Sequence, residues 1–443
     1  MKTLDIEERI NTFKEVELGY NDIEAKNEAE RCLNCLNPRC VTGCPVNIRI
    51  PEFIKCIKEN DIKKAYEIIK ESSSLSAVCG RVCPQEKQCE KMCVRGLKGE
   101  AISIGALERY VSDIALKNNF DSIKNIEKNG KKVAIVGSGP AGLSCTGELL
   151  KNGYSVDIFE VLHKAGGVLR YGIPEFRLPK NILDNEIESL KKMGAKIMCN
   201  VLIGNTITLD ELRTNYDAVF LGTGAGLPKY MGIDGEDANE VFSANEILTR
   251  INLMGAYKND SKTPIKKAKK AYVIGAGNVA MDAVRSLRRL GIESHLMYRR
   301  SLNEVPARKV EIEHAKEEGV IFDMLKNPKR ILKDENNHVI GMEVVDMILG
   351  DEVDGRKTVT ESDNVSIVDC DMVVMALGTS PNKTLINSEL KFDDKGLIIT
   401  LDSLTNLNNV YAGGDAVTGS ATVILAMEAG IKAARKIMEK YRS

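Results

Sequence analysis

Eight of the twelve cysteines stand in two runs, Cys32-x2-Cys35-x4-Cys40-x3-Cys44-Pro45 and Cys79-x3-Cys83-Pro84-x5-Cys89-x3-Cys93. Thiolates grouped in this way bind metal, and the spacing alone fits either structural zinc or iron–sulfur clusters. Each run carries a Cys-Pro step, as ferredoxin-like cluster runs do, which favours iron–sulfur. Further along, two glycine-rich turns follow short apolar strands, near residues 137 and 275. Turns of this kind bring backbone N–H groups and a helix N-terminus to a pyrophosphate. Thiolate clusters and two nucleotide sites on one chain point to electron transfer. Hydride is exchanged at one end, and single electrons move at the other.

The first turn reads Val136-Gly137-Ser138-Gly139-Pro140-Ala141-Gly142. Gly137 permits the tight turn, Gly139 lets the backbone approach a pyrophosphate, and Gly142 lets the following helix pack on the strand. Pro140 and Ala141 belong to the same cofactor-binding segment. The next strand, Ser155–Phe159, ends in Glu160, placed to accept hydrogen bonds from ribose hydroxyls. A late Tyr411-Ala-Gly-Gly-Asp415 resembles the Gly-Asp segment of the two-dinucleotide-domain flavoproteins. That resemblance favours FAD at the first turn and assigns Gly414 and Asp415 to it. Leu221-Gly-Thr-Gly224 and Ala376-Leu-Gly-Thr379 match that family's other short glycine segments. Leu169–Pro174 follows the Gly166-Gly167 turn and is expected to line the flavin. Gly167 is then a cofactor contact, and Arg170 is the candidate catalytic residue, steadying reduced flavin.

The second turn, Gly275-Ala-Gly277-Asn278-Val-Ala280, has alanine at the third glycine position, where small size is what packing requires. The strand after it, Ser294–Tyr298, ends in Arg299-Arg300-Ser301 with no acid. Guanidinium groups there pair with a ribose 2′-phosphate, which a carboxylate such as Glu160 would repel. NADP(H) is therefore expected at Gly275, Gly277, Asn278, Arg299 and Arg300, and Arg308 is a further candidate for the phosphate.

The elements that must position these residues follow from pattern. At 443 residues the chain is too long for one core. Residues 1–128 are helical: Ile62, Ala65, Tyr66 and Ile69 share one face. The class expected is α/β, an N-terminal helical two-cluster iron–sulfur domain followed by two Rossmann-like dinucleotide-binding domains. The boundaries read 1–128 for the helical domain, 129–245 for the first part of the FAD-binding domain and 246–375 for the NADPH-binding domain. Residues 376–443 return to complete the FAD-binding domain. A net charge of −1 gives no signal for nucleic acid or membrane, and no apolar run approaches membrane-spanning length. The N-terminus lacks a signal peptide's apolar stretch, so a soluble cytoplasmic protein is expected. In that reducing setting the clustered cysteines bind metal rather than pair. Residues 246–375 lack a Cys-x-x-Cys and Gly166-Gly167-Val168 has no cysteine beside it, which disfavours disulfide reductase activity.

Cys32–Pro45, Cys79–Cys93, both fingerprints and Tyr298-Arg-Arg-Ser301 together resemble the glutamate synthase small-chain family of FAD/iron–sulfur NADPH oxidoreductases. Within it, Asn37–Asn47 and Cys79–Cys89 are most similar to the large subunit of NADH-dependent ferredoxin:NADP+ oxidoreductase. The resemblance implies two [4Fe–4S] clusters. Cys32, Cys35, Cys40 and Cys93 would hold one. Cys44, Cys83 and Cys89 would hold the other, with Glu108 as its fourth ligand and Cys79 a spectator. It also implies a partner: a small flavin/[2Fe–2S] protein, with flavin bifurcation open to the pair, or a glutamate synthase large chain. A zinc-stabilised, nucleotide-sensing interaction protein is the alternative from outside the enzymes.

Overall fold

The computed structural model describes residues 2–120, 126–353, 355–382 and 389–441. The N-terminal region is helical apart from a short antiparallel pair, β1 (Lys2–Thr3) with β2 (Glu17–Gly19). Its helices start where local chemistry dictates. Asn21 and Glu24 form a capping box ahead of Asp22–Glu30, and the Asp61 carboxylate accepts from the Lys64 amide ahead of Ile62–Ser72. The second of these helices buries Ala65, Tyr66 and Ile69, three members of the expected face.

Two parallel five-stranded sheets follow. The first contains β3 (Lys132–Val136), β4 (Ser155–Glu160), β5 (Lys196–Cys199), β6 (Ala218–Leu221) and, from the far end of the chain, β17 (Val410–Ala412). Its order is β17-β6-β3-β4-β5. The C-terminal segment thus completes the first dinucleotide domain. The second sheet contains β8 (Val241–Ser243), β9 (Lys270–Ile274), β10 (Glu293–Tyr298), β11 (Ile321–Met324) and β15 (Met372–Met375), in the order β11-β10-β9-β15-β8. Between β11 and β15 lies an antiparallel meander of β12 (Lys326–Lys333), β13 (Val339–Val353) and β14 (Arg356–Val368). A short pair, β7 (Leu227–Pro228) with β16 (Thr379–Ser380), carries the chain out of the first domain and back. The expected boundary at 245 therefore moves, because β8 hydrogen-bonds to β15 and belongs to the second sheet. The helix after β8 is detectable in sequence, whereas a three-residue strand is not.

The helical region has no core of its own. Phe53, Ile57, Leu75 and Leu107 are continuous with Leu143, Leu149, Leu190 and Met427 of the first dinucleotide domain. Buried Lys70 pairs with buried Glu186 across that seam at 3.1 Å, and the Ala77 amide donates to the same carboxylate at 2.8 Å. The second sheet keeps separate cores on its two faces.

A buried ion network joins the second domain to the first. Arg177 donates to Asp282 at 2.7 Å and lies 2.9 Å from Glu311, while Arg285 and Arg289 both reach Glu318. Phe176 lies under the Arg289 guanidinium, 3.8 Å from its ring centroid. Removing one partner of such a network leaves buried charges uncompensated, which costs about 3–5 kcal/mol. Arg177→Ala should accordingly lower the thermal midpoint of the protein by several degrees. An unchanged midpoint would show that water reaches Asp282 and Glu311 once the guanidinium is gone.

Candidate functional site

Loops from both cysteine runs meet around one cavity. Cys32 follows the helix Asp22–Glu30, Cys40 sits in the short helix Arg39–Thr42, and Cys93 caps the 3-10 turn Val94–Leu97. These three line the cavity with Cys35 and an apolar wall that includes Ile50, Ile54 and Ile102. All four thiols are half-buried. Burial and the neighbouring cysteines push the Cys40 thiol up to about 11. The Asn34 and Val41 amides hydrogen-bond to the sulfurs of Cys32 and Cys40. Amides aimed at sulfur suit a thiolate-bound cluster, whose charge they stabilise.

The second group is deeper. Cys44, Cys83, Cys89 and Glu108 are all buried. Burial, then the Ile48 amide, then Glu108 are the main influences on the Cys44 thiol, which is pushed up to about 11. Cys89 is raised by burial and by Glu90, Glu108, Cys44 and Cys83, so the four expected ligands lie within electrostatic reach of one another. Among the described residues the Glu108 Oε1 atom has no hydrogen-bond partner, and burial and Glu186 push its carboxyl up to about 8. A buried carboxyl oxygen without a partner is costly unless something else binds it, and a cluster iron is such a partner. Among the described residues no three His, Cys, Asp or Glu side chains are grouped as around a single metal ion. Cys79 is fully buried beside Cys83, with its sulfur 3.3 Å from the Met427 sulfur. Met427 lies on the long C-terminal helix Val423–Tyr441 of the first dinucleotide domain.

That helix reaches the first fingerprint. A Cβ on Gly430 would sit 2.1 Å from the Ala141 carbonyl oxygen, and one on Gly414 would sit 3.0 Å from the Ala141 side chain. Gly142 likewise lies against the Gly137 carbonyl, which closes the turn. At Gly139 nothing lies within 4 Å of where a Cβ would be, so open space stands where a pyrophosphate would approach. Gly167, at φ +51°, comes back onto Gly139. Glu160, at the end of β4, accepts the Ser138 amide at 3.0 Å and the Leu162 amide at 2.9 Å. A carboxylate has about four acceptor positions, so capacity for ribose hydroxyls remains. The Ser138 hydroxyl donates to Glu160 and accepts the Gly166 amide at 2.9 Å, which ties fingerprint, acid and turn together. Ser138 occupies a position the motif leaves open, so nothing in the sequence singles it out. Tyr171 is similar: its phenol is pushed up to about 12 by burial, Asp415 and Glu160, so it stands near both acids.

The Arg170 side chain lies against the Gly166-Gly167 turn. Its guanidinium is buried, donating to the Ala165 carbonyl and the Asp184 carboxylate. The Gly166-Gly167 turn folds the Arg170 stem beneath it, so the side chain braces the turn from below.

At the second fingerprint Gly275 abuts the Ala376 carbonyl, and Gly277 is open. Asn278 begins the helix Asn278–Arg289 and accepts the Arg308 amide at 3.0 Å. Arg299 is exposed and Arg300 half-buried, with its Nε donating to the Lys357 carbonyl at 2.9 Å. Arg308 is committed elsewhere. Its guanidinium is 3.2 Å from Glu86 and 3.0 Å from the Gln85 side chain, bridging to the second cysteine run. Arg308 thereby links the second nucleotide domain to the second cysteine run.

Residues 9–120 match the family described as dihydropyrimidine dehydrogenase domain II, 4Fe-4S cluster. Residues 131–430 match that described as pyridine nucleotide-disulphide oxidoreductase. The Escherichia coli (strain K12) glutamate synthase [NADPH] small chain is 35% identical, covering 96% of this chain and 93% of that one. The beta subunit of NADP(+)-dependent formate dehydrogenase from Moorella thermoacetica is 36% identical over 91% of this chain, which spans 60% of that protein. Mycobacterium tuberculosis FprA in complex with NADPH shares the fold, with a TM-score of 0.59 at 20% identity over 70% of this chain and 84% of that one. A 4Fe-4S family at the cysteine runs sets the zinc reading aside. Among the described residues no helix is long and apolar enough to cross a membrane.

Proposed function

Because the chain belongs to the glutamate synthase small-chain family of FAD/iron–sulfur NADPH oxidoreductases, we propose that it is the NADP(H)-binding subunit of a larger enzyme. In this reading it moves electrons between NADPH and a partner subunit, in either direction. The cofactors supply the redox chemistry, hydride exchange at flavin and single-electron passage through [4Fe–4S] clusters. The residues hold and insulate them. Cys32, Cys35, Cys40 and Cys93 hold one cluster, and Cys44, Cys83, Cys89 and Glu108 the other. The Gly137–Gly142 turn and Gly414 cradle the FAD pyrophosphate, with Glu160 toward the ribose and Asp415 toward the ribityl chain. Arg170 acts as a positioning residue for the Gly166-Gly167 turn. Gly275, Gly277 and Asn278 receive the NADPH pyrophosphate, and Arg299 and Arg300 its 2′-phosphate.

The observation that carries the reading is the 3.3 Å sulfur–sulfur contact between Cys79 and Met427. It brings Cys79, the neighbour of Cys83, against a helix of the first dinucleotide domain, inside one shared core. The nucleotide half is tested by Arg299→Ala. Loss of one charge-assisted contact to phosphate, about 1.5–3 kcal/mol, should raise the NADPH KM roughly tenfold to hundredfold and leave NADH turnover nearly unchanged. Equal loss with both nucleotides would place the 2′-phosphate elsewhere.

Two partner readings have separate support. The long second cysteine run favours the ferredoxin:NADP+ oxidoreductase type, with a small flavin/[2Fe–2S] partner and bifurcation as a further capacity. The end-to-end match to a glutamate synthase small chain favours a glutamate synthase large chain. Anaerobic affinity purification separates them, by recovering a small [2Fe–2S] flavoprotein or a much larger amidotransferase-type flavoprotein with the chain.

A further inference from the structure

The meander between β11 and β15 belongs to neither nucleotide sheet, and β13 and β14 extend beyond β12 as a two-stranded arm. Three ties fix this arm to the end of β10. The Met347 amide donates to the Leu325 carbonyl at 2.8 Å, and the Leu325 amide donates to the Arg300 carbonyl at 3.2 Å. The Arg300 side chain then donates from Nε to the Lys357 carbonyl at 2.9 Å. The arm therefore sets the orientation of one of the two guanidinium groups in the Arg299-Arg300 pair. Arg299, its neighbour, is exposed and makes no ion pair among the described residues.

An acid, Glu304, stands beside the Arg299-Arg300 pair. Glu304 receives the Ser301 amide at 3.1 Å and the Ser301 hydroxyl, which builds the turn immediately after Arg300. An ionised carboxylate there repels a phosphate dianion. The only cation paired with Glu304 among the described residues is Lys357, 3.4 Å away on β14 opposite Glu352. With Lys357 present, the four charges Arg299, Arg300, Lys357 and Glu304 sum to +2. Without it, the corner falls to +1 and Glu304 is left uncompensated.

We propose that Lys357 is a specificity-determining residue for NADP(H): its ammonium neutralises Glu304 while its carbonyl holds Arg300, so that the arm completes the 2′-phosphate corner. This rests on the NADP(H) reading above. The class of ligand recognised is a ribose 2′-phosphomonoester, and the discriminating element comes from a hairpin 57 residues away from Arg300.

The test is binding by the full chain of 2′,5′-ADP and of 5′-AMP, which differ in the 2′-phosphate and need no redox turnover. In the unaltered protein 2′,5′-ADP should bind more tightly. Lys357→Gln keeps the backbone carbonyl and removes the charge. Because the Lys357 side chain is 44% exposed, solvent screens it, and the expected loss of 2′,5′-ADP affinity is about fivefold, with 5′-AMP unchanged. The double variant Glu304→Gln/Lys357→Gln removes the opposing pair together and should regain most of that loss. A merely structural role for Lys357 would lower both ligands alike and would not be rescued. An unaltered protein that prefers 2′,5′-ADP, together with a Lys357→Gln variant that binds it equally well, overturns this inference alone. An unaltered protein with no preference overturns the NADP(H) reading beneath it.

Discussion

Cys93→Ala should remove one of two clusters, lowering iron from about eight to about four atoms per chain. The choice of Cys93 matters because it belongs to the second run, whereas its neighbours Cys32, Cys35 and Cys40 belong to the first. If these four form one cage, Cys93→Ala and Cys32→Ala should abolish the same electron paramagnetic resonance signal of the reduced protein. Cys89→Ala should abolish the other, since Cys89 lies with Cys44, Cys83 and Glu108. Cys79→Ala should leave both signals present, because its sulfur faces Met427. Should Cys93→Ala and Cys89→Ala remove the same signal, each run would instead form its own cage. The partition proposed for the eight ligands would then be wrong.

Gly430→Val should cost about 3 kcal/mol or more and leave the purified protein without flavin. The reason is contact. The helices Pro140–Lys151 and Val423–Tyr441 cross at Gly430, where even a Cβ would lie 2.1 Å from a backbone carbonyl. No rotamer relieves a clash with backbone, so the helices must separate and carry Gly414 away from Ala141. Gly139→Ala supplies the contrast. Its Cβ would meet nothing within 4 Å, so the flavin-free protein should keep its thermal midpoint and yet bind FAD more weakly. A Gly430→Val protein with full flavin content and unchanged midpoint would mean that this helix crossing adapts.

The sequence was most legible where short-range chemistry fixes the backbone. Gly137, Glu160, Gly275 and Arg299 lie at strand ends that pattern alone locates, and both parallel sheets followed from them. The return of the last segment was legible too, through the Gly413-Gly414-Asp415 turn. The grouping of the cysteines was not, because a loop's spacing does not say which other loop it meets; that assignment came from resemblance. Long-range packing was equally hidden. Gly430 is an unremarked glycine in a helix, and Met427 one of fifteen methionines, until the fold brings each against its partner. In sequence, Arg308 reads as a candidate contact to phosphate and Arg170 as a candidate for steadying reduced flavin. They are held by Glu86 and Asp184, acids that are distant or unmarked in sequence. That the apolar faces of residues 1–128 share a core with the first dinucleotide domain was not legible either.

The completion of the first sheet by β17 has a consequence for how the protein is made. Synthesis proceeds from the N-terminus, and domains fold as their parts leave the ribosome. The helical region emerges before either sheet, but its core is shared with helix Val423–Tyr441, the last described element. The second nucleotide sheet has all its strands once Met375 has emerged, while the first still lacks an edge strand. The cysteine loops are therefore translated hundreds of residues before the surface that covers Cys79 exists. With Cys44, Cys83, Cys89 and Glu108 as its ligands, a cluster would have a window for insertion during translation that closes when the C-terminal helix docks, which would make assembly a matter of timing as well as of affinity.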